Sequence, residues 1–285
     1  MIAELQENNA SSVLCVANHK GGVGKTTTAA ALAYLFATKA KCEVLLLDAD
    51  AQTNLTQTMK TPCDGRIDIQ SAVISRIKNI DIGIDSFILP TQYKHIDMIP
   101  GSLMIENENF LSQVRRAKLE EDINPWQEVM EAAKKLNKYK VIIVDSHPSV
   151  GMDTLLPMQA CDKILVPMEA DERSVAGLSQ VYQNILKSRR RANPNIRLLG
   201  YFFNKVKSNT NSAKDYIPSA REGIPKMIAK LNNGADEGIC FNTTVRDSED
   251  ARKSVNFHCA VTAKFKNKKI SKDFEALYNE IIEVL

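Results

Sequence analysis

Apolar residues in this chain gather in short, nearly unbroken runs: 13–17, 44–47, 96–99, 141–144, 164–166 and 198–203. Runs of this length, bounded by polar or turn residues, predict strands covered on both faces. The stretches between them carry apolar residues at helical spacing. Helices are expected from Lys25 to about Lys39, from Leu103 to about Leu119, and from Asn124-Pro125 through Trp126, Val129, Met130, Ala133 and Leu136. Another should follow Ile164–Pro167 and run to about Ser188. A last one should span Ser271 to Val284, with Ser271 as N-cap and Phe274, Leu277, Ile281 and Ile282 facing inward. Strand and helix alternating throughout predict one doubly wound α/β domain over residues 1–285, a mostly parallel twisted sheet with helices on both faces. Residues 1–12 read as a polar N-terminal extension. Residues 60–95 are the least regular part, with β-like Ile80–Ile84 set between turn residues and Pro62 and Pro90 breaking the pattern.

Composition changes this picture little. With 44 % hydrophobic and 25 % charged residues the chain reads as an ordinary globular domain. No apolar run approaches the roughly 20 residues of a membrane span. The first twelve residues lack the basic and apolar regions of a signal peptide. The cysteines, at 15, 42, 63, 161, 240 and 259, form no C-x-x-C pair and often sit in apolar runs. Reduced thiols in a cytoplasmic protein are therefore expected, rather than disulfides or zinc.

The chemistry concentrates at Val13–Thr28, VLCVANHKGGVGKTTT. A buried strand runs into Gly21-Gly22-Val23-Gly24 and then into Lys25-Thr26-Thr27 at a helix start, the context of a P-loop. Amide groups of such a loop converge on phosphate, aided by the helix dipole. Lys25 would reach the β/γ-phosphates and the Thr26 hydroxyl would sit on Mg2+. The common pattern G-x-x-x-x-G-K-[ST] would place Gly at His19, so the stretch departs from it, and an extra Lys20 precedes the glycines.

KGGVGKTT resembles the deviant Walker A motif of the ParA/MinD family of ATPases, whose second lysine is here Lys20. The resemblance implies a P-loop NTPase fold, with 60–95 a family-variable insertion. It implies a Mg-dependent ATPase in which Lys20, Gly21, Gly22, Val23, Gly24, Lys25, Thr26 and Thr27 bind the nucleotide. Asp48-Ala49-Asp50-Ala51-Gln52, at the end of a strand, is similar to the family's switch I. Asp50 would orient or activate water there, and Asp48 would support the Mg2+ shell. Val141–Asp145 resembles a Walker B strand, with Asp145 reaching Mg2+ through water. Ser146–Gly151 matches switch II in outline. His147 replaces a proline of many relatives and reads as a solvated loop residue. Asn204, Arg246 and Asp247 resemble adenine-side residues, although the usual proline before the arginine is missing.

Charge adds a surface. Lys187, Arg189, Arg190, Arg191 and Arg197 cluster without an intervening acid, and Arg252, Lys253, Lys264, Lys266, Lys268, Lys269 and Lys272 form a second group. Concentrated in the C-terminal half, these residues favour sequence-independent contact with a phosphate backbone, with Lys187, Arg189, Arg190, Arg191 and Arg221 as candidates. MinD-like members end in a basic amphipathic helix that lies on lipid; here Asp273, Glu275, Glu280 and Glu283 make that helix acidic, which argues against a membrane. The resemblance to ParA/Soj partition ATPases then implies an ATP-sandwich homodimer, each Lys20 reaching the other subunit's nucleotide. The dimer would bind DNA non-specifically, associate with the nucleoid, and let go when a ParB-type centromere-binding partner stimulates hydrolysis. The cargo would be a plasmid or chromosome. A ParA-like ATPase positioning a protein cargo or division machinery, and a DNA-binding regulator using ATP only as a conformational ligand, are the alternatives.

Overall fold

The apolar runs become the central strands of one sheet, where both faces of each strand are covered and no polar position is needed. A computed structural model describes residues 11–62, 65–148, 151–207, 211–235 and 237–285, without the side chains of 152–154 and 211–214. Most of the N-terminal extension, Cys63 and residues 149–150 of the switch II segment lie outside the described residues. The strands are β1 Ser12–Val16, β2 Val44–Ala49, β3 Leu89–Pro90, β4 Ile96–Ile99, β5 Val141–Ser146, β6 Lys163–Met168, β7 Arg197–Phe203 and β8 Ile239–Cys240. Their order is β3-β4-β2-β5-β1-β6-β7-β8, parallel throughout except for β3 against β4.

The helices are α1 Lys25–Leu35, α2 Asn54–Met59, α3 Ile69–Ile77, α4 Glu108–Glu120, α5 Pro125–Lys135 and α6 Met152–Gln159. They continue as α7 Glu172–Arg191, α8 Asn211–Leu231, α9 Glu249–Asn256, α10 Val261–Lys264 and α11 Lys269–Ile282. Successive strand residues point to opposite faces, so the sheet builds two cores. Leu14, Val16, Leu46, Ile143, Leu165 and Phe202 pack with α1, α10 and α11. Val13, Cys15, Leu47, Val144, Val166 and Tyr201 pack with α3, α5, α7 and α8. The run of buried Ala29, Ala30, Ala31 and Ala33 on α1 lets that helix lie close to the sheet.

β1 pairs with β5 on one side and β6 on the other, so the chain leaves β1 by crossing over β5 to reach β2. The loops after β1, β2, β5 and β7 therefore open at one sheet end around a topological switch point, where such sheets bind ligands.

Three expectations are corrected, and one helix is new. The helix expected from Leu103 is broken at Asn107: a 3-10 turn, Leu103–Glu106, precedes α4. Ser102 caps the turn and Asn107 caps α4, their side chains accepting from the amides of Met104 and Asn109. Ser271 is no cap. It lies inside α11, its hydroxyl donating to the Val261 and Phe265 carbonyls. Ile80–Ile84 is not a strand but leads into a 3-10 turn, Ile84–Phe87. The polar segment after β2 turns helical at Asn54, because Asp48 accepts the Thr56 amide at 2.9 Å.

Candidate nucleotide-binding site

The glycine loop is tied to its surroundings before any ligand arrives. Asn18, almost fully buried, donates from Nδ2 to the Pro167 carbonyl on β6 at 2.8 Å and accepts the Lys20 amide at 2.9 Å. Gly24 has φ 92°, and a Cβ there would stand 2.4 Å from Asn204 Nδ2, so the position admits only glycine. α1 then begins at Lys25 with no side-chain cap and no acid in its first turn. Its first amides have no intrahelical partner, and no acid in its first turn offsets the dipole, which leaves an anion site.

Around this loop a cleft of about 420 Å3 is lined by Gly22, Gly24, Lys25, Thr26, Thr27 and Asp50 at one end. Asn204, Lys205, Arg246, Asp247, Ser248 and Arg252 line the other. The fold thus gathers residues from four strand ends and α9, in a volume ordinary for a small-ligand site.

The acids divide by how they are held. Asp48 is fully buried and already occupied: Oδ2 accepts the Thr56 amide and hydroxyl, and Oδ1 the Asp50 amide at 3.3 Å. Burial pushes its pKa up to about 6, against the pull of those hydrogen bonds. Asp145 is equally buried, yet among the described residues neither carboxylate oxygen has a hydrogen-bond partner. Burial and the neighbouring Asp48 drive its pKa well up; Thr26 and the Lys25 ammonium oppose the rise. A buried carboxylate without a partner is costly unless a ligand completes it. Beside Thr26 and a phosphate cradle, a hydrated Mg2+ fits that gap, since this ion keeps waters and takes few protein ligands. Asp50 is also buried and accepts the Gln52 amide at 2.9 Å. Lys25 faces both Asp145 and Asp50, and burial lowers its pKa despite them.

Lys20 points away from this cleft. Its Nζ lies 2.5 Å from Glu169 Oε2 and 2.6 Å from Asp171 Oδ2, with Ser174 Oγ at 3.5 Å. Burial alone would lower its pKa, but the bonds to Asp171 and Glu169 hold it raised. Asp171 is also the N-cap of α7, accepting the Ser174 amide at 2.8 Å.

The three adenine-side residues expected from sequence do meet at the cleft, with their groups partly engaged. Asn204 Nδ2 donates to the Val23 carbonyl at 2.7 Å, so the side chain clamps the glycine loop. Arg246 makes a two-pronged pair with Asp273, at 2.6 and 2.8 Å, and Asp247 pairs with Arg252 at 2.7 Å. His147 is not a solvated loop residue. Its side chain is only 19 % exposed, with Nε2 2.9 Å from Glu106 Oε1 and 3.9 Å from Asp50 Oδ1.

Of the basic candidates, Lys187, Arg190 and Arg191 are exposed at the far end of α7. Arg189 is committed to Glu237 and the Ile196 carbonyl, and Arg221 to the carbonyls of Phe241 and Asn242. The residues that sequence reasoning missed are Lys205, whose ammonium donates to the Gly22 carbonyl, and Glu169, Asp171 and Glu106. Lys205 had a local signal in its neighbour Asn204. The three acids had none, since their partners lie far along the chain.

A parallel sheet with a glycine loop at its switch point, one lysine in the loop and another ahead of it, defines a P-loop nucleotide-binding protein. The chain belongs to the AAA domain family, which matches residues 11–198. It is 28 % identical over 222 residues to the chromosome partitioning protein ParA of Myxococcus xanthus, covering 77 % of this chain and 74 % of that one. Over 221 residues it is 27 % identical to the sporulation initiation inhibitor protein Soj of Bacillus subtilis, covering 76 % and 82 %. Its fold superposes on the cell division ATPase MinD of Pyrococcus furiosus with a TM-score of 0.73 at 18 % identity, covering 96 % and 100 %. The chain has the P-loop NTPase fold of the ParA/MinD type.

Proposed function

We propose that this chain is an ATP-driven partition ATPase whose ATP-bound homodimer holds DNA without sequence preference. Hydrolysis, stimulated by a ParB-type partner, would release it. The observation that carries the ATPase reading is the unpartnered Asp145 carboxylate, buried beside Thr26 and Lys25 at the mouth of an uncapped helix. In this reading the loop amides and Lys25 bind and orient the phosphates, Thr26 and Asp145 hold the hydrated metal, and Asp50 orients the attacking water. Bound Mg2+ would neutralise charge on the transferring phosphoryl group. Lys20, once free of Glu169 and Asp171, would add its charge across the dimer.

Two basic surfaces support the DNA reading. One is the exposed end of α7. The other lies on α9–α11, where Lys264 sits over the Phe257 ring and Lys266 over Tyr34, a pattern suited to backbone phosphates. The relatives named ParA and Soj favour chromosome or plasmid cargo, and association with the nucleoid would follow. The fold's likeness to MinD keeps positioning of division machinery as a second reading. Among the described residues no helix is long and apolar enough to cross a membrane.

The test is Asp50→Ala. It should bind ATP and dimerise by light scattering while hydrolysing at least tenfold more slowly. A variant that stays monomeric with ATP would contradict the role of Asp50. Pure wild type that releases no phosphate with DNA or partner present would refute the ATPase.

A further inference from the structure

His147 stands between two loops that the proposed hydrolysis has to coordinate. It follows β5, one residue beyond Ser146 and two beyond Asp145, and its neighbour Pro148 lines the nucleotide cleft. Its Nε2 meets Glu106 Oε1 at 2.9 Å, and Glu106 closes the 3-10 turn that leaves β4. That separation is within hydrogen-bond reach. The same nitrogen faces Asp50 Oδ1 at 3.9 Å, beyond hydrogen-bond reach but within a small swing of it. Asp50 is otherwise fixed through Oδ1 by the Gln52 amide.

We propose that His147 is a positioning residue for Asp50: its imidazole, anchored on Glu106 through Nε2, presents the same edge to Asp50 Oδ1 and so sets where that carboxylate points when water is aligned for attack. This rests on the ATPase reading and deepens it. The imidazole makes one unit of three separate segments, the loops after β2 and β5 and the turn after β4. A carboxylate that orients water needs placing to a fraction of an ångström, and misplacement by about 1 Å costs on the order of a hundredfold in rate. A histidine that merely packed the turn would contribute to folding and nothing to the rate.

Steady-state and single-turnover kinetics separate these roles. His147→Ala should lower kcat about tenfold or more while KM for ATP stays within about twofold. Glu106→Gln, at an exposed position that folding tolerates, should lower kcat in the same manner by a smaller factor. In an Asp50→Ala background, His147→Ala should cost nothing further, because the effect passes through the missing carboxylate. His147→Gln, which keeps a donor, should recover part of the loss. An unchanged kcat, a loss confined to KM, or an equal loss in the Asp50→Ala background would each overturn the proposal.

A second measurement does not depend on turnover. With four histidines in the chain, imidazole 15N resonances of the ligand-free protein are assignable. Glu106→Gln and Asp50→Asn should each move the His147 signals and leave His95 and His258 in place. Signals indifferent to Glu106→Gln would overturn the proposed contact. A wild type that hydrolyses nothing would refute the ATPase reading instead, with the NMR result standing on its own.

Discussion

At the scale of single residues the site is a set of buried charges. Lys25 is 6 % exposed, and burial lowers its pKa even though Asp145 and Asp50 face it. Its ammonium is faced by acids that a nucleotide-bound metal would compete for. Removing it strips the cradle of its only buried cation among the described cleft residues and leaves two carboxylates facing incoming phosphate. Lys25→Ala should abolish ATP binding in calorimetry; retained affinity would count against the P-loop assignment. Asp145 is the residue most in need of a ligand, and its resemblance to a Walker B acid was legible in the sequence. The lack of a hydrogen-bond partner among the described residues is a property of the folded site, with no sequence counterpart.

At the scale of elements, what was legible was what is local. The buried strands β1, β2, β4, β5, β6 and β7 follow from their own apolar runs. β3 and β8 have two residues each and leave no pattern. α2 was hidden because its sequence, NLTQTM, is polar and its first turn depends on Asp48 accepting the Thr56 amide. The glycine loop was legible because its motif is contiguous, although Pro167, Asn204 and Lys205 hold it from far along the chain. Lys20 with Glu169, His147 with Glu106 and Arg189 with Glu237 were not, because each pair is closed only by the fold. The last of these gives a stability test. Glu237 accepts from Arg189, the Tyr182 hydroxyl at 2.8 Å and the Leu198 amide at 2.9 Å, joining the end of α7 to β7. Burial would raise its pKa, but the bonds from Arg189 and Tyr182 outweigh that and hold it below the usual carboxylate value. A depressed folded pKa means stability that is present above the unfolded value of about 4.3 and lost as pH falls through the folded one. Glu237→Gln should thus cost about 1–3 kcal/mol at pH 7, from lost charged hydrogen bonds at a half-buried site. The gap to wild type should close below about pH 4. Thermal melts across pH 3–8 check this, and a gap independent of pH would remove the ionic cause.

At the scale of the whole molecule, the distance between charge and nucleotide decides which surface can respond to ATP. α7 has 20 residues, so its exposed basic end lies about 30 Å from the Lys20 cluster at its start. α9 instead lines the cleft with Ser248, Ala251, Arg252 and Val255, while Lys253 and the nearby Lys264, Lys266 and Lys268 face solvent. DNA binding that depends on ATP should therefore use the second surface. The combined change Lys264→Ala, Lys266→Ala and Lys268→Ala should lower the salt slope of ATP-dependent DNA affinity by up to about 3, roughly one per phosphate contact. An unchanged slope would move the DNA to the end of α7.

Dimerisation poses a related question, because Lys20 cannot serve a second subunit while Glu169 and Asp171 hold it at home. The ion pairs are partly exposed, with 26 % of the Lys20 side chain and 30 % of Glu169 accessible, so each is worth about 0.5–1 kcal/mol. A symmetric ATP dimer would release the pair in both subunits, a total of about 1–2 kcal/mol set against association. Glu169→Gln weakens that hold and leaves the α7 cap on Asp171 intact. It should therefore tighten ATP-dependent dimerisation by roughly five- to thirtyfold. ATP affinity of the monomer should not change, since Lys20 lies outside the cleft in the single chain. Sedimentation at several protein concentrations with and without ATP measures both. A dimer no tighter than wild type would mean that Lys20 stays with Asp171 when the subunits meet, and that the second lysine orders the head of α7 rather than crossing the interface.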